Sequence, residues 1–189
     1  MTRGRRPGSA GFLILMAVGF ILLSVLPGCA ADDAGARAIL FPDAQGPLKP
    51  DGDARRVSLG GTDTIEIQPL RFTPLPGHSV ALNTTWCGVV LRDPSGVAQG
   101  VVTIGTGITD VLSCGHLLEA GALPPAGGVA RLGLVYRTAS PNASVVTPVV
   151  LARPGPGAPW AVDADLSQRL TLLPGTASLA RMRQALRRP

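Results

Sequence analysis

The sequence predicts a mainly β fold: a small antiparallel β-sandwich or barrel-like domain with a short C-terminal α-helix, preceded by a signal peptide and a flexible tether. Three observations carry that expectation. About seven short runs between residues 57 and 173 alternate apolar and polar residues or are rich in Val, Ile, Thr and Leu, at intervals of roughly ten residues. Pro- and Gly-rich turns separate them. Clear helical spacing in the exported part occurs only at its end, where Leu179, Met182 and Leu186 fall three and four apart.

In chain order, residues 1–28 read as a signal peptide, 29–54 as tether, 55–173 as the β-rich domain and 174–189 as a basic helix. Residues 30–54 contain Gly, Pro, Asp and Ala, with one short apolar patch, Ile39-Leu40-Phe41, and are expected to be mostly without fixed structure. In DTIEIQPLRF, Ile65 and Ile67 alternate with Thr64, Glu66 and Gln68, the pattern of a half-buried strand. Pro69, Pro74 and Pro76 then predict an edge or a loop. Val80, Leu82, Thr84 and Trp86 share one side of the next strand, with Val89 and Leu91 following an irregularity at Gly88. Asp93-Pro94-Ser95-Gly96 is a turn, because Pro presets the backbone and Gly relaxes the exit, and VAQGVVTIG completes a hairpin. Residues 110–120 fit a short helix or a strand and turn equally well. VARLGLVYRTAS is a strand, with Arg131 and Arg137 outward, that turns at Ser140-Pro141-Asn142 into SVVTPVVLARP, placed at an edge or bulge by Pro148. A last strand is expected within 160–173 as RLTLL. Thr176 or Ser178 caps the final helix, and its late arginines suit the negative helix end.

The leader carries Arg3, Arg5 and Arg6 ahead of the uncharged run Gly11–Leu26. A positive segment followed by an apolar one is an export signal. Sixteen residues at about 1.5 Å each make roughly 24 Å of helix, short of the ~30 Å hydrocarbon core. The run ends in Leu26-Pro27-Gly28-Cys29, which resembles the bacterial lipobox. Leu26, Gly28 and Cys29 match the pattern; Pro27 stands where a small or β-branched residue is usual. The resemblance implies cleavage between Gly28 and Cys29 and diacylation of the Cys29 thiol. It also implies anchoring at the outer rather than the inner membrane, because Ala30, not Asp, follows the cysteine. The alternative is an uncleaved N-terminal anchor.

Without residues 1–28 the chain has fourteen basic residues against twelve acids, a balance of +2, since three of the seventeen leave with the leader. Arg181, Arg183, Arg187 and Arg188 crowd its end, so the basic character belongs to the termini and is no nucleic-acid footprint. These four are the candidate contacts to anionic headgroups or an acidic partner. Cys87 and Cys114 remain in the exported part and, in an oxidising compartment, predict one disulfide.

No catalytic or metal-ligating set emerges. Cys114 and His116 give two ligands where structural zinc needs four. Ser113, His116 and Asp110 lack a nucleophile elbow. IGTGITD lacks the third glycine of a dinucleotide loop and the lysine of a P-loop. Asp163 and Asp165 read as a solvated strand edge, and the sequons at Asn83 and Asn142 carry no weight in a bacterial chain. The expectation is therefore a non-enzymatic cell-envelope lipoprotein facing the periplasm, with covalent lipid at Cys29 and no cofactor. It would act as an accessory or structural subunit through protein contacts. The alternative is a ligand-binding or chaperone-like β-module for a sugar, lipid or secreted protein.

Overall fold

The structure is a computed structural model that describes residues 39–78, 85–140, 142–175 and 178–187. The leader, Cys29, Asn83 and Arg188 lie outside the described residues. No helix among the described residues is long and apolar enough to cross a membrane.

Two antiparallel sheets form the domain. The first contains β1 (Ala44–Pro50), β2 (Arg55–Gly60), β3 (Asp63–Pro74), β4 (Trp86–Arg92) and β5 (Ala98–Ile104). β3 pairs with β4 on one side; on the other it pairs with β2 through residues 63–67 and with β1 through residues 70–74. The second runs β6 (Ser113–Ala126), β7 (Val129–Ser140), β8 (Ala143–Arg153), β9 (Ala161–Val162). The helices are α1 (Ala164–Leu172) and α2 (Leu179–Arg187). The sheets stay separate, so the sandwich form of the expected fold is the one observed and the barrel form is not.

Both sheets are buried on both faces. Ile65, Ile67, Cys87, Val89 and Leu91 of the first meet Leu117, Leu132, Leu134, Tyr136 and Leu151 of the second in the central core. The outer face of the first sheet carries Leu70, Phe72, Trp86 and Val90 under Phe41 and Leu48. The outer face of the second carries Leu123, Val135 and Val150 under Leu166, Leu170, Leu179 and Met182 of the helices. Successive side chains of a strand point to opposite faces. β4 is therefore buried at every position from Trp86 to Leu91, with Cys87, Val89 and Leu91 inward and Trp86 and Val90 outward. The expected irregularity at Gly88 exists as a register shift against β5. Gly88 also needs to be glycine, since a Cβ there would run into the Phe41 ring.

Four expectations are corrected. The tether does not extend to residue 54: residues 44–50 form β1, and Phe41 and Leu48 are 1 % exposed. Without them the outer face of the first sheet would leave Leu70, Phe72 and Trp86 in water. Pro69 does not break β3, which runs straight through it. The Pro69 carbonyl accepts the Asp51 N–H (2.9 Å), so its nitrogen faces the same side, where β2 has ended and β1 has not begun to pair. Its missing donor costs no ladder bond there. Residues 113–126 settle as strand after a 3₁₀ turn at Gly107–Thr109. The segment expected as RLTLL is α1 instead: Asp163 accepts the Leu166 N–H at 3.0 Å as its N-cap, and Leu166 and Leu170, one turn apart, bury against β8. The same cap explains Asp163 and Asp165, which lie at a helix start and not on a strand edge. Pro148 sits as expected, beyond the short stretch of β8 that β9 covers. Farther along, the Ser167 hydroxyl accepts the Val150 N–H at 2.9 Å, so a side chain stands in for a strand partner.

The disulfide joins Cys87 of β4 to Cys114 of β6, with Cα atoms 5.4 Å apart, and the Cys114 N–H donates to the Thr85 carbonyl at 2.8 Å beside it. Across the core, the hydroxyls of Tyr136 and Thr103 lie 2.8 Å apart; burial pushes the Tyr136 phenol well above its ordinary pKa. Along the opposite seam the Gln99 amide donates to the Trp160 carbonyl (2.7 Å) and accepts the Trp160 N–H (2.8 Å), tying β5 to the lead-in of β9.

Replacing Cys87 and Cys114 together by Ala should lower unfolding free energy by about 3 kcal/mol, read from denaturant midpoints against the oxidised protein. An unchanged midpoint would remove the disulfide from the account. In the 93–96 turn, Asp93 Oδ1 lies 2.6 Å from the Ser95 hydroxyl and accepts the Ser95 and Val97 N–H groups at 3.0 Å. The Ser95 hydroxyl is the main cause that holds this carboxyl below the ordinary aspartate range. Its contribution to stability is present above the unfolded aspartate pKa and fades as pH falls through the lowered folded value. Carboxyl NMR titration should place Asp93 below an ordinary aspartate and Ser95→Ala should raise it; equal values in the two proteins would contradict the assignment.

Candidate functional site

The site forms where β1 leaves β3. Gln45 pairs with Thr73 and Lys49 with Arg71, so three residues of β1 oppose one of β3. The sequence explains the bulge. Gly46 adopts φ 71°, a left-handed conformation open to glycine, Pro47 has no N–H for the ladder, and Leu48 turns into the outer core. The arch leaves a cleft of about 440 Å³, lined by Gln45, Lys49, Arg71, Thr73 and Thr85 among others. Lys49 is the only lysine of the chain. By strand alternation and pairing, Gln45, Lys49, Arg71 and Thr73 share the face that carries Ile65 and Ile67 farther along β3. The cleft thus continues the inter-sheet face beyond the end of its apolar core.

Behind Arg71, outside the lining of the cleft, stands Asp51, just past β1, whose side chain is 4 % exposed. Its Oδ2 accepts the Leu117 N–H at 2.7 Å, and its Oδ1 lies 2.8 Å from His116 Nδ1. Arg71 Nε stands 3.3 Å from the same Oδ1, near enough for Coulomb attraction but not aligned for a hydrogen bond. At the start of β2, Arg55 donates to the carbonyls of Leu118 (3.2 Å) and Leu117 (3.5 Å). Asp51 and Arg55 together pin β6 of the second sheet to the first.

His116 paired to a buried carboxylate is the orienting half of a hydrolytic triad. Here the second carboxylate oxygen is spent on a backbone amide that joins the sheets. The sequence grouping of Ser113, His116 and Asp110 is not what the fold assembles, because Asp51 holds His116 Nδ1. Asp110 closes the 3₁₀ turn through its N–H to the Gly107 carbonyl, and Ser113 opens β6 opposite Ala139. Among the described residues no three His, Cys, Asp or Glu side chains gather to hold a metal, and Cys114 is in the disulfide.

The three described C-terminal arginines part company. Arg181 is exposed and reaches Gln184 (3.0 Å), and Arg187 is exposed at the end of α2. Arg183 is half-buried, and its Nε donates to the Ala122 carbonyl at 2.9 Å. The spacing explains this, since residue 183 lies four after Leu179 on the stripe that also holds Met182 and Leu186. That stripe fits because Gly121 and Gly133 leave room: a Cβ on either would stand 2.6 and 2.7 Å from Leu179 methyls. Glu119 accepts the Leu179 N–H at 3.0 Å and puts a carboxylate at the positive end of α2. Ser178 is the capping residue there, its Oγ 3.4 Å from the Arg181 nitrogen.

Sequence reading missed Lys49, Asp51 and Arg71 as a group. The usable signal was Gly46-Pro47 ahead of Leu48, a bulge signature that composition alone assigns to a tether. Asp51→Ala should cost about 2–3 kcal/mol in denaturant unfolding, because it leaves the Leu117 N–H unpaired and frees β6 from β1. A loss below about 0.5 kcal/mol, the range of an ordinary surface change, would show that this carboxylate does not hold the seam.

Comparison of the chain with protein-family models, curated proteins and solved structures finds no match in any of the three.

Proposed function

We propose that this chain is a bacterial cell-envelope lipoprotein, anchored through acyl chains on Cys29 and facing the periplasm, at the outer membrane in preference to the inner. Its module works by binding rather than by turnover. The observation that carries the reading is the uncharged run Gly11–Leu26 closed by Leu26-Pro27-Gly28-Cys29. Each acyl CH₂ buried in the bilayer is worth about 0.8 kcal/mol, so two or three chains hold a protein there durably.

The fold adds two supports. The Cys87–Cys114 disulfide, with both cysteines in the inter-sheet core, suits an oxidising compartment. Ile39, the first described residue, lies ten positions after Cys29, and ten residues reach at most about 35 Å, so the module works close to the bilayer. The use of Asp51 as a structural pin supports a non-enzymatic role, since the His116 partner is committed to strand joining. Between an accessory subunit acting through protein contacts and a ligand-binding β-module, the open cleft at the β1 bulge favours the second.

The mass of the N-terminal peptide and partition of the whole protein between detergent and water test the anchor. The native protein should enter the detergent phase with residue 29 carrying acyl mass. Cys29→Ser should accumulate with its leader attached and without that mass. Recovery of native protein with an unmodified residue 29, or normal leader removal in Cys29→Ser, would refute the proposal.

A further inference from the structure

The cleft has a chemistry of its own. Its described lining offers two cations, Lys49 and Arg71, the Thr73 and Thr85 hydroxyls and the Gln45 amide, with no carboxylate. Residues 79–84, which lead into Thr85, contain no acid either. Among the described residues Lys49 has no ion-pair partner. Arg71 has one, Asp51, and it approaches Nε. Among the described residues that leaves the terminal nitrogens of the guanidinium, the fork that matches two oxygens of an oxyanion, without a protein acceptor. Asp51 divides its charge among Arg71, His116 and the Leu117 amide, so it positions the arginine more than it neutralises it.

The other described clefts lack this imbalance. Near the 93–96 turn, Arg56 and Arg92 share the lining with Glu66 and Asp93, and Arg92 pairs with Glu66 at 3.4 Å. Beside Trp160, Arg153 is tied to Asp63 at 2.6 Å. Among these described clefts, only the one at the β1 bulge has two cations facing a space of small-molecule size whose described lining supplies no counter-charge.

We infer that this cleft binds a small oxyanion, a carboxylate or phosphate group, held between Lys49 and the Arg71 fork with the Thr73 and Thr85 hydroxyls as further donors. The inference deepens the binding reading given above and rests on it. The group is either that of a free solute or that of an anionic lipid headgroup, which a short tether brings within reach.

The test uses the full mature protein in neutral-detergent micelles, with inorganic phosphate and acetate as probes and the amide NMR signals of Gly46, Thr73 and Thr85 as readout. At least one probe should shift these signals saturably, with a dissociation constant on the order of 1 mM. Lys49→Gln, which removes no contact within the described fold, should weaken binding about tenfold. Arg56→Gln, at the mixed-charge cleft, should leave it unchanged. Adding phosphatidylglycerol to the micelles separates the sources: a headgroup ligand raises the apparent constant for the probe, and a solute ligand leaves it as it was. Shifts that never saturate, or saturable binding untouched by Lys49→Gln, would overturn the inference. Peptide mass at residue 29 is read on the same sample. An acylated protein that binds neither probe ends the oxyanion site and spares the anchor; a binding protein without acyl mass does the reverse.

Discussion

The junction between β4 and β6 governs the molecule. There the Cys87–Cys114 bridge, the Cys114 N–H on the Thr85 carbonyl, and the Asp51 carboxylate on the Leu117 N–H fall within a few residues of one another along β6. Two separate sheets have no backbone ladder between them, so side chains must set how they meet. One covalent bond in the core and one buried carboxylate at its rim do so, and the Gln99 amide holds the other seam. The apolar residues between, from Ile67 to Leu134, then close one continuous core.

That arrangement leaves two outer faces, and each has its own cover. The second sheet is capped by α1 and α2, whose apolar stripes fit over Val135 and Val150 and into the space left by Gly121 and Gly133. The first is capped by the chain ahead of β2, through Phe41 and Leu48. Burying each of these two side chains is worth roughly 2 kcal/mol. The chain has few aromatic residues, and Phe41, Phe72 and Trp86 are gathered on that one outer face, with the Phe41 and Phe72 rings 5.1 Å apart. Residues 41–50, ahead of β2, are thereby built into the fold.

The cleft follows from the same cover. β1 has to place Leu48 in the outer core and also supply Asp51 to the seam. Gly46-Pro47 lets it arch between its two pairings with β3, and Lys49 and Arg71 stand on the opposite face of the arch. Structural demand at Leu48 and Asp51 thus opens a cationic space next to the pin that orients Arg71. A binding surface placed on a strand pair is held more rigidly than one carried by a loop.

The sequence by itself determined the mainly β class, the cysteine pair, the hairpin around Asp93–Gly96, β7 and the apolar stripe of α2. Each of these is written in local periodicity, turn chemistry or residue count. It left the barrel open as an alternative, and it misjudged β1, Pro69 and α1 for one reason. Their conformations answer to partners far along the chain. Residues 44–50 are strand because Leu70, Phe72 and Trp86 need a cover. Pro69 is tolerated because two neighbouring strands hand over beside it. RLTLL is helix because Asp163 caps it and β8 offers an apolar face to Leu166 and Leu170. Lys49, Asp51, Arg71 and His116 span more than sixty positions, and only tertiary packing brings them to one place.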